Sequence, residues 1–157
     1  MILITVGTQL PFDRLVKAID DLVPSLSDAV TAQIGKGTYE PRNISWIRSI
    51  DPSEFDTMFS SARVIVSHAG IGTVLTARRF GKPIVVVPRL ASLGEHRNDH
   101  QLATASQLEG RDGIYVARST DELGELLLGE LTAPSSVHVP EPAHLQLVSY
   151  LKSFIAA

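Results

Sequence analysis

The chain has 157 residues, 44% hydrophobic and 20% charged, which is the composition of one globular domain with enough apolar material for a single sizeable core. Its net charge of −3, with no Lys/Arg-rich run interleaved with aromatics, excludes the electrostatic footprint of a nucleic-acid binder. Having no cysteine, it has neither a disulfide framework nor a thiolate metal site, and no stretch approaches the ~20 apolar residues of a membrane span.

The apolar start Met1-Ile2-Leu3-Ile4 lacks a basic leader and reaches Gly7 too soon for a signal peptide, so a soluble chain made in the cytoplasm is expected. Residues 2–6 are nearly all apolar and β-branched and read as a central strand, with Gly7-Thr8-Gln9 as its turn. Phe12, Leu15, Val16, Ile19, Leu22 and Val23 then recur at helical spacing, with Pro11 suited to the first turn and Pro24 ending the run. Residues 29–34 predict a second strand before the turn Gly35-Lys36-Gly37, and residues 44–50 a third. Asp51-Pro52-Ser53-Glu54 has the chemistry of a helix start feeding Phe55, Met58 and Phe59.

A fourth strand is expected at 63–67, a helix at 73–80 and a break at Gly81-Lys82-Pro83. Ile84-Val85-Val86-Val87 is the strongest strand signal in the chain. A polar loop, a helix to Leu108, a short strand at 113–117 and a Ser/Thr-capped helix over 120–131 follow. After a Pro- and Ser-containing link, Leu147, Val148, Leu151, Phe154 and Ile155 predict a C-terminal helix within 143–157, packing across the domain or onto a partner. Strands alternating with helices argue for one α/β domain over 1–157, built on a parallel sheet with helices on both faces and its ligand site at the carboxyl ends of the strands.

Three polar segments converge at that edge. In Val64-Ile65-Val66-Ser67-His68-Ala69-Gly70-Ile71-Gly72-Thr73 an apolar strand runs into a glycine-punctuated turn and then a helix. Glycines at 70 and 72 let backbone N–H groups at the helix start approach a ligand closely, and a helix N-terminus suits a phosphate. His68 and Thr73 would add side-chain donors, His68 gaining most if cationic. Plain turn chemistry is the alternative reading of Gly-x-Gly, and of His68 that of a core histidine bonded to a carbonyl. Leu75 stands where a dinucleotide fingerprint needs its third glycine, and no Lys-Ser/Thr pair makes a Walker motif.

The second segment is Gly7-Thr8-Gln9. The third is the run Glu95-His96-Arg97-Asn98-Asp99-His100-Gln101, either a solvated loop or a recognition surface for a polyhydroxylated ligand, whose hydroxyls need mixed donors and acceptors. His96 and His100 at i, i+4 would share a helix face as a metal pair, but the Glu that a metalloprotease helix carries after its first His is missing. No Asp-x-Asp pair of the kind that holds a metal on a nucleotide diphosphate is present, so no metal or cofactor is expected.

Five stretches taken together, Thr5 to Leu15, Ser-His-Ala-Gly-x-Gly-Thr, Gly81-Lys82-Pro83, Val87-Pro88-Arg89 and Gly94-Glu95-His96-x-Asn98-Asp99-His100-Gln101, resemble a glycosyltransferase family over residues 1–110. The chain is similar to the small subunit of two-subunit bacterial exopolysaccharide glycosyltransferases with a family 28 C-terminal domain. These are related to the catalytic subunit of the eukaryotic UDP-GlcNAc transferase of lipid-linked oligosaccharide assembly. The resemblance implies a Rossmann-like domain like the C-terminal half of a GT-B glycosyltransferase, one that binds a UDP-sugar donor and transfers the sugar to a lipid-linked or polysaccharide acceptor. Because the chain begins at its first strand, the other half of the enzyme is expected from a membrane-anchored partner subunit, which would hold the chain at the inner face of the membrane. When the chain is isolated, a homo-oligomer is the alternative assembly.

The resemblance further implies that Gly70, Gly72 and Thr73 hold the diphosphate with His68 beside them, and that Gly7, Thr8 and Gln9 face it from the first loop. Glu95, His96, His100 and Gln101 would contact the donor sugar, and backbone near 50–53 would receive the base; the general base belongs near the acceptor, either on the partner subunit or, on position alone, at Glu95 or His96. Related transferases carry a ribose-binding Glu eight residues after the histidine of the turn, where this chain has Thr76. That departure favours the rival reading of a non-catalytic nucleotide-sugar-binding or regulatory module; a sugar-nucleotide epimerase, which needs a two-domain cleft, is a third reading.

Overall fold

In the computed structural model, which describes residues 1–135 and Ser149, the β-branched runs lie where an all-parallel sheet needs them. Six strands, Ile2–Thr5 (β1), Val30–Gln33 (β2), Ser45–Ile47 (β3), Val64–His68 (β4), Ile84–Val87 (β5) and Ile114–Val116 (β6), lie side by side in the order β3-β2-β1-β4-β5-β6. Every pairing is parallel. Of the four inner strands, β1, β4 and β5 are buried on both faces, which is why they read as continuous apolar runs rather than alternating ones.

Successive side chains of these strands serve two different cores. Ile2, Ile4, Val64, Val66, Val85 and Val87 pack with Leu15, Val16 and Ile19 of helix Asp13–Leu22 (α1) and with Leu123 and Leu127 of helix Leu123–Leu128 (α5). On the other face Leu3, Ile65 and Val86 meet Phe59 of helix Pro52–Ser61 (α2), Val74 and Ala77 of Ile71–Arg79 (α3), and Ala105 and Leu108 of His100–Leu108 (α4). The register Ile2↔Val64 through Thr5↔Ser67 brings the ends of β1 and β4 level. The chain leaves β1 for α1 on one face and β4 for α3 on the other, so these adjacent strand ends form the topological switch point, where doubly wound sheets open a crevice.

Several boundaries depart from expectation for local reasons. Pro11 precedes the helix instead of sitting in its first turn, and Pro24 lies inside a 3₁₀ turn, Val23–Ser25, that prolongs the run. The third strand is short because only Ser45–Ile47 pair with Thr31–Gln33 at this edge of the sheet. The capped helix expected over 120–131 divides into a 3₁₀ turn, Thr120–Glu122, and α5; Ser119 makes no cap bond, and the Glu122 carboxylate instead accepts from the Arg118 N–H at 2.9 Å. The helix start at Asp51 is as expected, its side chain accepting from the Ser53 N–H at 2.9 Å. Apart from Ser149, the helix expected within 143–157 lies outside the described residues.

Asp20 ties the crossover between β2 and β3 to α1. It is 1% exposed and accepts from the Tyr39 hydroxyl at 2.6 Å, the Arg42 N–H at 3.0 Å and the Asn43 N–H at 2.7 Å. Burial alone would raise its pKa, but these three bonds outweigh it and hold the carboxyl below the usual range, while the Tyr39 hydroxyl, bonded to the carboxylate, is pushed up to about 12. Asp20→Ala leaves three donors without their acceptor and should cost about 2–3 kcal/mol in urea unfolding, with Tyr39→Phe costing about 1 kcal/mol; equal losses from the two would mean that the backbone donors contribute nothing.

Candidate functional site

Two side chains at the strand ends shape the first loop. Gln33, 5% exposed at the end of β2, accepts from the Val6 N–H at 3.1 Å and donates to the carbonyls of Gly7 and Arg48, each at 3.0 Å. Arg89, 3% exposed just beyond β5, donates to the carbonyls of Val6 (2.5 Å), Leu10 (3.0 Å), Pro11 (2.6 Å) and Glu95 (3.4 Å), with its guanidinium 4.7 Å from the centre of the Phe12 ring. Burial lowers the Arg89 pKa, and Glu95 opposes that shift. Between these braces the backbone turns at Gly7 with φ +80°, and a Cβ there would meet His68 Nε2 at 3.2 Å. Sequence reasoning missed both: Gln33 passes for an ordinary strand residue, and Arg89 counted only as part of the Val-Pro-Arg motif.

Across the crevice, β4 ends at His68 and α3 starts at Ile71 with Gly70 as its N-cap and no side-chain cap. The N–H groups of Ile71, Gly72 and Thr73 have no partner within the helix and carry the positive end of its dipole. The two glycines of the turn serve different needs. A Cβ on Gly70 would collide with the His68 ring, whereas one on Gly72 would meet nothing within 4 Å, because Gly72 faces open space. The Thr76 hydroxyl, one turn further on, donates to the Gly72 carbonyl at 2.9 Å.

His68 is held neutral. Burial, then the Arg89 and His96 charges, lower its pKa from 6.5 to about 4, so the cationic donor considered for this position is not the form present near neutrality. Gln101 Nε2 lies 3.1 Å from His68 Nδ1, while Gln101 Oε1 accepts from the Ala69 N–H at 3.2 Å and the Arg89 N–H at 2.9 Å.

Two concavities meet at the first loop. The larger, of about 590 Å³, is lined by Thr5, Gly7, Thr8, Gln33, Ser49, Ile50, Pro52, Phe55, Phe59, Gly72, Thr73 and Thr76. The smaller, of about 240 Å³, is lined by Val6, Gly7, Thr8, Gln9, Leu10, His68, Arg89, His96 and Gln101. Gly7 and Thr8 belong to both. The apolar floor made by Pro52, Phe55 and Phe59 is a further element that sequence reasoning missed; its signal was the amphipathic start of α2.

The polar run at 95–101 does not act as one loop. Glu95 is turned inward: its carboxylate takes Arg14 Nη2 at 2.9 Å, Arg14 Nε at 3.0 and 3.2 Å, and the Leu90 N–H at 3.1 Å. His96 lines the smaller cavity and its Nδ1 accepts from the Asn98 N–H at 3.4 Å. His100 is exposed at the first position of α4 and lines neither cavity, so the helical i, i+4 geometry of a His96 and His100 pair does not arise. Among the described residues, no three His, Cys, Asp or Glu side chains come together, and no helix is long and apolar enough to cross a membrane.

The family model of the glycosyltransferase family 28 C-terminal domain matches residues 1–138. UDP-N-acetylglucosamine transferase subunit ALG13 of Yarrowia lipolytica is 29% identical over 138 residues, covering 79% of this chain and 68% of that protein. The human protein of that name is 34% identical over 127 residues, covering 73% of this chain and 11% of its own length. Among solved structures, the glycotransferase of kitacinnamycin superposes with a TM-score of 0.57 at 18% identity, over 99% of this chain and 39% of that one, a likeness of fold. The chain therefore spans a minor part of two of these three relatives.

The depressed His68 pKa sets a pH window for stability. The unfolded chain takes up a proton near pH 6.5 and the folded chain near 4, so stability is complete above 6.5 and falls as pH drops toward 4, by about 3 kcal/mol. The lowered carboxyls of Asp20 and Asp28 contribute only below that range. Urea midpoints at pH 7, 5.5 and 4.5 should fall steadily for the wild type and stay nearly level for His68→Asn.

Proposed function

The chain belongs to the glycosyltransferase family 28 C-terminal-domain family, and from that premise we propose that it binds the UDP-sugar donor of a hexosyltransferase. One observation carries the reading: the first-turn N–H groups of α3, unpartnered among the described residues, with Gly72 facing open space, stand at the switch point beside a cleft of about 590 Å³. In this reading the diphosphate lies against Ile71, Gly72 and Thr73 and within reach of His68, with the first loop at Gly7, Thr8 and Gln9 closing over it. The nucleoside occupies the larger cleft, its base at the edge formed by Ser49, Ile50 and Pro52 and over the Phe55 floor.

The sugar is transferred with inversion and without a metal ion. The bond between the anomeric carbon and the β-phosphate oxygen breaks, and its electron pair leaves with the diphosphate. Preorganised N–H donors stabilise that growing charge more than they stabilise the bound donor, which is the condition for catalysis. The acceptor hydroxyl attacks from the opposite face and gives up its proton to a base. That base is on the partner subunit or is one of two candidates on this chain, of which His96 lines the smaller cavity, whereas Glu95 would first have to leave its ion pair with Arg14. A partner subunit, membrane-anchored, brings a lipid-linked or polysaccharide acceptor. The relatives named as transferase subunits support the two-subunit part of this reading, and the bacterial exopolysaccharide setting rests on the motif resemblance alone.

Thr76 favours a second reading, a nucleotide-sugar-binding module without catalytic duty. A hydroxyl already donating to Gly72 cannot take two ribose hydroxyls as a carboxylate would. Calorimetric titration with UDP, UDP-glucose, UDP-GlcNAc and UDP-glucuronate tests the shared part: binding should weaken at least tenfold in His68→Ala and in Gly72→Asp, whose carboxylate would face the diphosphate. Binding that both variants retain would remove the diphosphate from α3. Transfer by the chain co-expressed with its partner should survive EDTA, and loss of turnover restored by Mg²⁺ or Mn²⁺ would sink the metal-free mechanism; nucleotide binding without any transfer would favour the module.

A further inference from the structure

Gln101 lines the smaller cavity, and its amide is engaged by the protein on both sides. Its amide oxygen faces two backbone donors, Ala69 N–H at 3.2 Å and Arg89 N–H at 2.9 Å. Two N–H groups cannot face an NH₂, so the orientation of this amide is dictated by the backbone around it. Its nitrogen therefore points at His68 Nδ1, 3.1 Å away, as a donor, and Nδ1 must accept. A neutral imidazole that accepts at Nδ1 carries its proton on Nε2.

We infer that Gln101 is a positioning residue that locks His68 as the Nε2–H tautomer, so that the turn offers the leaving diphosphate a neutral hydrogen-bond donor. The inference rests on the donor-site reading for the identity of that acceptor, but not for the tautomer. His68 Nε2 has no partner among the described residues and lies on the side of Gly7, at the loop shared by the two cavities. The charged and titratable groups facing the ring are Arg89 from the end of β5 and His96 from the loop beyond it, and both oppose an imidazolium. A neutral donor is usable throughout the pH range in which the nucleotide is anionic, because its proton never has to be gained or lost.

The lock also couples two segments. The one Gln101 oxygen holds Ala69, between His68 and Gly70, and Arg89, whose side chain holds the first loop. A shift of α4 would therefore move the ring and both loops around it.

The experiment is a long-range ¹H–¹⁵N spectrum of the full chain labelled in its five histidines, with His68 assigned by its loss in His68→Asn. In the wild type, His68 should show a protonated Nε2 and an unprotonated Nδ1 from pH 5.5 to 8. In Gln101→Glu one carboxylate oxygen still accepts from both backbone groups, but the other can only accept a hydrogen bond, which requires an N–H at Nδ1. The proton should then move to Nδ1 at pH 8, and the Kd for UDP should rise at least tenfold there. A purely structural Gln101 would leave the ring nitrogens unchanged in this variant. Nδ1 protonation in the wild type, or unaltered Nε2 protonation in Gln101→Glu, overturns the inference, the first without needing the variant to fold. The expected tautomer change in a chain whose wild type ignores UDP would leave the lock standing and overturn the donor-site reading instead.

Discussion

The Arg89 guanidinium is 3% exposed and is hydrogen-bonded by four backbone carbonyls rather than by a carboxylate, so its burial is tolerable only while the first loop and the loop after β5 hold their shapes. The dependence runs both ways. The carbonyls of Val6, Leu10 and Pro11 belong to a turn with no regular structure of its own, and Arg89 supplies the donors that such a turn would otherwise seek from water. Phe12 beneath the guanidinium adds an aromatic face, and the Arg14 to Glu95 ion pair fastens the same two loops a few residues further on. Every concavity at the switch point is bounded by something this mesh holds in place.

The mesh also sets the electrostatics. Burial makes a charge on His68 expensive and the nearby Arg89 cation adds to that cost, so the histidine stays neutral. The positive potential at the crevice then comes from groups that cannot titrate in the working range, the backbone N–H groups of α3 and the guanidinium beneath the loop. An anion arriving there would find donors already oriented.

Much of this was legible in the sequence. Continuous β-branched runs at 2–5, 64–66 and 84–87 announced strands buried on both faces, and their alternation with helical patterns announced a parallel sheet with its site at the strand ends. The different roles of Gly70 and Gly72 were not legible, because one answers to a neighbouring ring and the other to empty space. The run at 95–101 was misleading as a unit: seven consecutive polar residues look like one surface, yet Glu95 finds its partner 81 residues away at Arg14 and Gln101 finds its own 33 residues away at His68. Arg89 and Gln33 carry no local signal, since a side chain that bonds distant carbonyls resembles any other polar residue at a strand end.

The two braces converge on a single residue, Val6. Gln33 takes the N–H of Val6 and Arg89 takes its carbonyl, one reaching in from β2 and the other from the far side of β4. During folding, the first loop therefore cannot be completed by either half of the sheet alone, since a half-assembled chain leaves either the N–H or the carbonyl of Val6 without its side-chain partner. Parallel pairings of long sequence separation are the slow steps of such topologies, and here both must have occurred before a crevice exists. A nucleotide that binds the crevice would thus recognise only chains whose sheet has closed on both sides, and would act as a checkpoint on folding as well as a substrate.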